Sequence, residues 1–119
     1  MAITVLLVDD DPIFRGLARA MLATQRVVVV AEAATLAAGL AAARVLRPDS
    51  ALVDVELPDG NGMTLAGALT GLPRPPRIIL TSSDADAVVA SEVLRCGAAR
   101  FVPKSDLPSV GLEGLLAGD

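Results

Sequence analysis

Residues 51–63 read ALVDVELPDGNGM. A short apolar run stops abruptly on an acid, Asp54, and gives way to a segment rich in Pro, Asp, Asn and Gly. An apolar run of this length bounded by turn residues reads as a buried strand, here Ser50 to Val53, and LPDGNG reads as a loop. The same pattern repeats upstream. Ile3 to Val8 (ITVLLV) is a β-branched run that stops at Asp9, Asp10 and Asp11. Asp11 followed by Pro12 is a helix start, with Asp11 as N-cap and Pro12 in the first turn. The helix is expected to run to about Gln25, its apolar residues at helical spacing being Ile13, Leu17, Met21 and Leu22. Val27 to Ala31 is a second strand, and Leu36 to Leu46 a second helix, stopped by Pro48.

Downstream of the loop a short helix spans about Met63 to Leu69, followed by the turn LPRPP and a strand from Arg77 to Thr81. A helix from about Ala85 to Arg95 ends at Gly97, a good residue for a helix C-terminus. The last strand is Ala99 to Pro103. A final helix, about Leu107 to Ala117, carries Gly111 and Gly114 and is expected to be the least stable element. Strands alternating with helices give five β-α units. The fold class is therefore α/β, a (βα)5 flavodoxin-like, doubly wound five-stranded parallel sheet in one domain over residues 1–119. Binding sites in such sheets lie beyond the carboxyl ends of the strands.

Composition narrows the chemistry. The 119 residues are 53% hydrophobic but only 2% aromatic, so the core is aliphatic and no base-stacking platform is available. A net charge of −4 gives no basic footprint for direct nucleic-acid binding. No histidine is present, which removes Ser-His, Cys-His and His-metal sites together. The single cysteine, Cys96, reads as a small semi-buried thiol. No basic leader and no long apolar run appears, so a cytoplasmic protein with no membrane contact is expected.

The strand ends collect a distinctive set. Asp9, Asp10 and Asp11 follow the first strand, Asp54 and then Glu56 the third, Ser82 and Ser83 the fourth, and Lys104, the only lysine, the fifth. Adjacent carboxylates repel unless a cation neutralises them, and an all-oxygen set suits a hard divalent ion such as Mg²⁺. A carboxylate beside such an ion can act as a nucleophile and form an acyl phosphate. A lysine ammonium and a hydroxyl would complete the contacts to a phosphoryl group.

This set resembles the receiver domain of bacterial two-component response regulators, over the whole chain. LLVDDDP looks like that family's acidic loop, with Asp9 and Asp10 as the acid pair. ALVDVELPDGNGM looks like its phosphoacceptor segment, with Pro58 and Gly62 in the usual places. IILTSS carries the hydroxyl position, and GAARFVPK carries the switch aromatic, Phe101, and the lysine. The resemblance implies a phosphorylation switch. Asp54 would accept a phosphoryl group from a histidine kinase or phosphotransfer protein, which would supply the imidazole this chain lacks. Asp9, Asp10, Asp54 and the backbone carbonyl of Glu56 would hold Mg²⁺. Lys104 and Ser82 would bind the phosphoryl group, and Phe101 would respond to it.

The resemblance further implies a phosphoacceptor that supports its own phosphorylation and dephosphorylation, not a conventional enzyme. Output would pass through the face made by the helix at 85–95, the strand at 99–103 and the helix at 107–117, toward a downstream protein target the sequence does not name. A homodimer stays open. So does the choice between Thr81 and Ser82, although the family's spacing back from Gly97 and Lys104 favours Ser82. Ser105 follows Lys104 where many receivers have Pro, which leaves a cis peptide at that bond open. Two rival readings remain: a small Mg²⁺-dependent Asp-nucleophile phosphatase or phosphotransferase, and a degenerate receiver that only binds. The first usually carries an Asp where Glu56 stands, and a cap for which there is no room.

Overall fold

The computed structural model describes residues 2–118. Its main sheet is built from β1 (Ile3–Val8), β2 (Val27–Ala33), β3 (Ser50–Asp54), β6 (Arg77–Ser82) and β7 (Arg100–Pro103). The short strands β4 (Glu56–Leu57) and β5 (Gly60–Asn61) lie between β3 and β6 in sequence. The main sheet runs β2-β1-β3-β6-β7, and every neighbouring pair is parallel. The chain crosses from one side of β1 to the other between β2 and β3, so the switch point opens between the ends of β1 and β3.

The helices are α1 (Pro12–Leu22), α2 (Leu36–Leu46), α3 (Gly62–Thr70), α4 (Ala90–Cys96) and α5 (Leu112–Ala117). Strand alternation divides the core into two layers. Val5, Leu7, Leu52, Ile79 and Val102 face α1 and α5, packing on Phe14, Ala18, Leu22, Leu112 and Leu116. Leu6, Val8, Val53, Ile78 and Leu80 face the other way, onto Ala43 of α2, Leu65 and Leu69 of α3 and Val93 of α4.

Several elements depart from the sequence expectation. α1 ends at Leu22, and the Gln25 side chain donates back to the Met21 carbonyl at 2.9 Å. Its buried stripe is Phe14, Ala18 and Leu22, whereas Ile13 and Leu17 are 74% and 58% exposed. Both stripes have a spacing of four, and the one carrying the small Ala18 lets the helix lie close on the sheet. LPDGNG is not all loop, because β4 and β5 pair antiparallel across it. α4 starts at Ala90, not Ala85. The Asp84 N–H donates to Ser82 Oγ at 3.0 Å and the Asp86 N–H to Asp84 Oδ1 at 2.9 Å, so side chains take donors a helix would use.

The expected last helix is also divided. A 3₁₀ helix spans Lys104–Ser109, Gly111 turns at φ +66°, and only then does α5 begin. No cis peptide occurs among the described residues, so Lys104–Ser105 is trans. No helix of the described residues is long and apolar enough to cross a membrane.

The start of β1 is tied to the entry of β3. Asp49 Oδ2 accepts from the Thr4 N–H at 2.9 Å and from Thr4 Oγ1 at 3.1 Å, while the Asp49 N–H donates to Thr4 Oγ1 at 2.9 Å. The Thr4 backbone donor, helped by the Arg74 guanidinium, holds the Asp49 carboxyl below the usual carboxylate range. A lowered folded-state pKa means stability that is present above the unfolded value and lost as pH falls through the folded one. Asp49→Ala should cost about 1–2 kcal/mol at neutral pH, the scale of a partly exposed charged hydrogen-bond group. Urea melts should show the deficit shrinking in acid; a deficit independent of pH would mean the carboxylate charge is irrelevant.

Candidate functional site

Asp9 and Asp10, Asp54, Ser82 and Lys104 stand at the carboxyl ends of β1, β3, β6 and β7, whereas Glu56 opens β4 and Phe101 lies within β7. Asp9 follows β1 and is buried, 1% exposed, while Asp10 beside it is exposed. Asp54 ends β3 and is buried. Ligand oxygens of Asp9, Asp10 and Asp54 all lie within 4.8 Å of one another. Lys104, leaving β7, reaches in with Nζ 2.8 Å from Asp9 Oδ2 and 3.4 Å from Asp54 Oδ2. The remaining oxygens are oriented by local backbone. Asp54 Oδ1 accepts from the Glu56 N–H at 3.2 Å, and Asp9 Oδ1 from the Asp11 N–H at 2.9 Å.

Burial, reinforced by the Asp9 charge, raises the Asp54 carboxyl above the usual carboxylate range, although the Glu56 N–H and Lys104 pull the other way. Burial works against the Lys104 ammonium, but Asp9 and Asp54 outweigh it and hold its pKa above the ordinary lysine value. The two shifts describe one arrangement: a charged pair set among too many carboxylates.

The two hydroxyls separate clearly. Thr81 Oγ1 is buried and donates to the Val102 carbonyl at 2.7 Å, across to β7. Ser82 Oγ accepts from the Asp84 N–H at 3.0 Å and lies 3.4 Å from Glu56 Oε1, on the segment after Asp54. Thr81 is therefore committed to the sheet, and Ser82 is the hydroxyl facing the loop that follows Asp54. Glu56 itself is exposed. Phe101 is half-buried on β7 and packs on the α2–α3–α4 layer.

Four further residues support the site. The Phe14 ring lies under Lys104, its centroid 4.2 Å from Nζ. Arg15 Nη1 donates to the Asp9 carbonyl at 2.6 Å while its Nε pairs with Glu32 on β2, pinning the acidic loop. Asp59 accepts from the Leu36 and Ala37 N–H groups at 2.7 and 3.0 Å, which fastens the segment after Asp54 to the start of α2. Gly62 donates its N–H to the Val55 carbonyl at 2.7 Å, bringing α3 against the end of β3. Of these, Phe14 left a sequence signal as one of two aromatic residues in the chain and Gly62 by its place in the segment after Asp54, whereas Arg15 and Asp59 left none.

The donor set fits a divalent cation. Among the described residues Asp9 Oδ2 is buried without an aligned hydrogen-bond donor, the Lys104 contact notwithstanding, and of three converging carboxylates the one ammonium meets two, Asp9 and Asp54. All candidate ligand atoms are oxygens, as a hard ion requires.

Comparison with known proteins gives the same reading of the fold. The family model "Response regulator receiver domain" matches residues 5–110. The DNA-binding transcriptional activator DevR/DosR of Mycobacterium tuberculosis is 38% identical over 104 residues, 86% of this chain and 48% of that protein. The probable transcriptional regulatory protein NarL of M. tuberculosis H37Rv is 35% identical over 103 residues, again 86% of this chain and 48% of that protein. The chain thus spans about half the length of these curated relatives. Among solved structures, the signal receiver domain of the M. tuberculosis NarL aligns with a TM-score of 0.81 at 32% identity, covering 98% of this chain and 92% of that one. A LuxR-family response regulator from Aurantimonas sp. SI85-9A1 aligns with a TM-score of 0.88 at 28% identity, over 99% and 87%. With a family match that runs from β1 to the end of the 3₁₀ helix, the chain belongs to the response regulator receiver domains of two-component signalling.

Proposed function

We propose that the domain is a phosphorylation switch in which Asp54 accepts a phosphoryl group from a histidine kinase or phosphotransfer protein. The observation that carries this reading is the environment of one carboxylate. Asp54 is buried at the sheet's switch point, one oxygen held by the Glu56 N–H and the other by Lys104. In the transfer, an Asp54 oxygen forms a bond to phosphorus as the donor's P–N bond breaks. The bond's electron pair stays on the donor imidazole, which takes up a proton. Lys104 sits where it can follow the charge from the carboxylate to the phosphoryl oxygens, and Ser82 offers a hydroxyl from β6. Mg²⁺, held by Asp9, Asp10, Asp54 and the Glu56 carbonyl, would neutralise phosphoryl charge. Acetyl phosphate with Mg²⁺, followed by intact mass, tests the reading; a chain that gains no phosphoryl group would refute it.

Asp10 is the exposed member of the acid set and the one with room to change partners. Asp10→Ala should weaken Mg²⁺ binding by about tenfold, the scale of losing one charged contact. It should also raise the melting temperature in EDTA, by removing like-charge repulsion. Thermal melts with and without Mg²⁺ measure both effects. Equal Mg²⁺ responses in wild type and variant would remove Asp10 from the ligand set.

Output is proposed through the face of α4, β7 and α5. Val89 and Leu94 are exposed there, and a cavity of about 360 Å³ is lined by Val88, Val93, Leu94, Arg100 and Phe101. Ser82 leads into this region from the site and Phe101 lies within it. The downstream target is a protein, or a further segment of a longer chain.

A further inference from the structure

We propose that Phe14 is a positioning residue for the phosphoryl site, its ring holding the Lys104 ammonium between Asp9 and Asp54. The inference rests on the phosphoacceptor reading of Asp54. Lys104 Nζ lies 2.8 Å from Asp9 Oδ2, 3.4 Å from Asp54 Oδ2 and 4.2 Å from the Phe14 ring centroid. The two carboxylates fix the ammonium on one side, and the ring closes another. A lysine stem is flexible and its ammonium strongly hydrated, so carboxylates alone do not hold it in one rotamer. The negative face of an aromatic ring attracts an ammonium at this distance, an interaction that an aliphatic side chain of similar size cannot supply.

The ring is itself rigidly placed. Phe14 lies in the first turn of α1, which Asp11 caps by accepting from the Ile13 N–H at 2.9 Å. Its side chain is buried in the layer formed with Val5, Leu7 and Val102. Composition sharpens the point. This aliphatic core contains two phenylalanines and no Tyr or Trp, and one of the two sits against the only lysine in the chain. A leucine would satisfy the core at this position, but it would leave the ammonium free to swing outward. On that side lies a cavity of about 580 Å³ lined by Leu17, Met21, Ser105 and Pro108 as well as by Phe14 and Lys104.

The sole lysine makes the test unambiguous, because lysine-selective ¹³C labelling reports Lys104 alone. In the wild-type chain the Lys104 ε-methylene protons are expected upfield, shielded by the ring current. Phe14→Leu and Phe14→Met should lose that shift, and Phe14→Tyr should keep it, the adjoining cavity giving room for the hydroxyl. With acetyl phosphate and Mg²⁺, the Leu variant should be phosphorylated roughly three- to tenfold more slowly, the scale of a partly desolvated cation–π contact. The Tyr variant should match wild type. An unshifted lysine in the wild type overturns the proposal even where the Leu or Met variant fails to fold. Equal phosphorylation rates in folded Leu and Tyr variants overturn it as well. A wild type with a ring-shifted lysine that takes up no phosphoryl group instead overturns the phosphoacceptor reading, and this proposal with it.

Discussion

Asp54→Asn is expected to remain folded and to take up no phosphoryl group from acetyl phosphate and Mg²⁺, a complete loss by intact mass. The substitution keeps the size of the side chain and its carbonyl-type oxygen, so the hydrogen bond from the Glu56 N–H survives. It removes the carboxylate, and an amide is not a nucleophile of this kind. Asp9 and Asp10 do not take over. Asp9 is already held by Lys104 and the Asp11 N–H, and Asp10 is exposed at the rim. The same variant should be at least as stable as wild type in EDTA at neutral pH. Burial, with the Asp9 charge, raises the Asp54 pKa in the folded state, so ionising Asp54 there opposes folding. That penalty is present above the folded pKa and disappears as pH falls below the unfolded one. The stability gap between variant and wild type should therefore close in acid. Phosphorylation of Asp54→Asn at unchanged yield would move the acceptor to another carboxylate.

The sheet and the position of the site were legible because both follow from short-range pattern. Each strand is an apolar run too short for a helix, and Asp9, Asp54, Ser82 and Lys104 stand at or directly after the ends of four of them. What the sequence hid was settled by tertiary contact. Ile13 and Leu17 have the same spacing as Phe14 and Ala18. The choice of face depends on Ala18 being small enough for close approach to β1 and β2, which no periodicity reveals. The first turn of the expected helix at 85–95 is lost to the side chains of Ser82 and Asp84, and local hydrogen-bond competition of that kind is invisible to an apolar count. Gly111 could be read only as a weak point, yet it separates the 3₁₀ helix from α5. The grip of Asp59 on Leu36 and Ala37, and of Phe14 on Lys104, joins residues far apart in sequence and needed the folded chain. Ile13 and Leu17 are thereby left exposed on the outer side of α1, and Leu17 lines the cavity it shares with Lys104.

Gly62→Ala is expected to destabilise the domain by about 3 kcal/mol, the upper end of overpacking costs, and to lower its melting temperature by roughly 10 °C. Gly62 opens α3 and donates its N–H to the Val55 carbonyl. A Cβ at this position would lie 2.2 Å from the Asp54 carbonyl oxygen, 2.9 Å from the Asp54 carbonyl carbon and 3.0 Å from Val55 Cα. All three atoms are backbone, so no side chain can swing aside to relieve the clash. Either α3 tilts away from the sheet or the end of β3 moves. The second response displaces Asp54, Val55 and the Glu56 N–H that orients the Asp54 carboxylate. Phosphorylation should therefore slow in the fraction that remains folded. Gly67, in the same helix, is the matched control. Among the described residues, and apart from its chain neighbours and its own helix backbone, no atom lies within 4 Å of its would-be Cβ. Gly67→Ala should accordingly stabilise the domain by about 0.5–1 kcal/mol, through helix propensity and a less flexible unfolded chain. Opposite signs for the two substitutions in urea melts are the expected result. A Gly62→Ala domain that melts with wild type and is phosphorylated at the wild-type rate would show that α3 does not press on the Asp54 backbone as the structure has it.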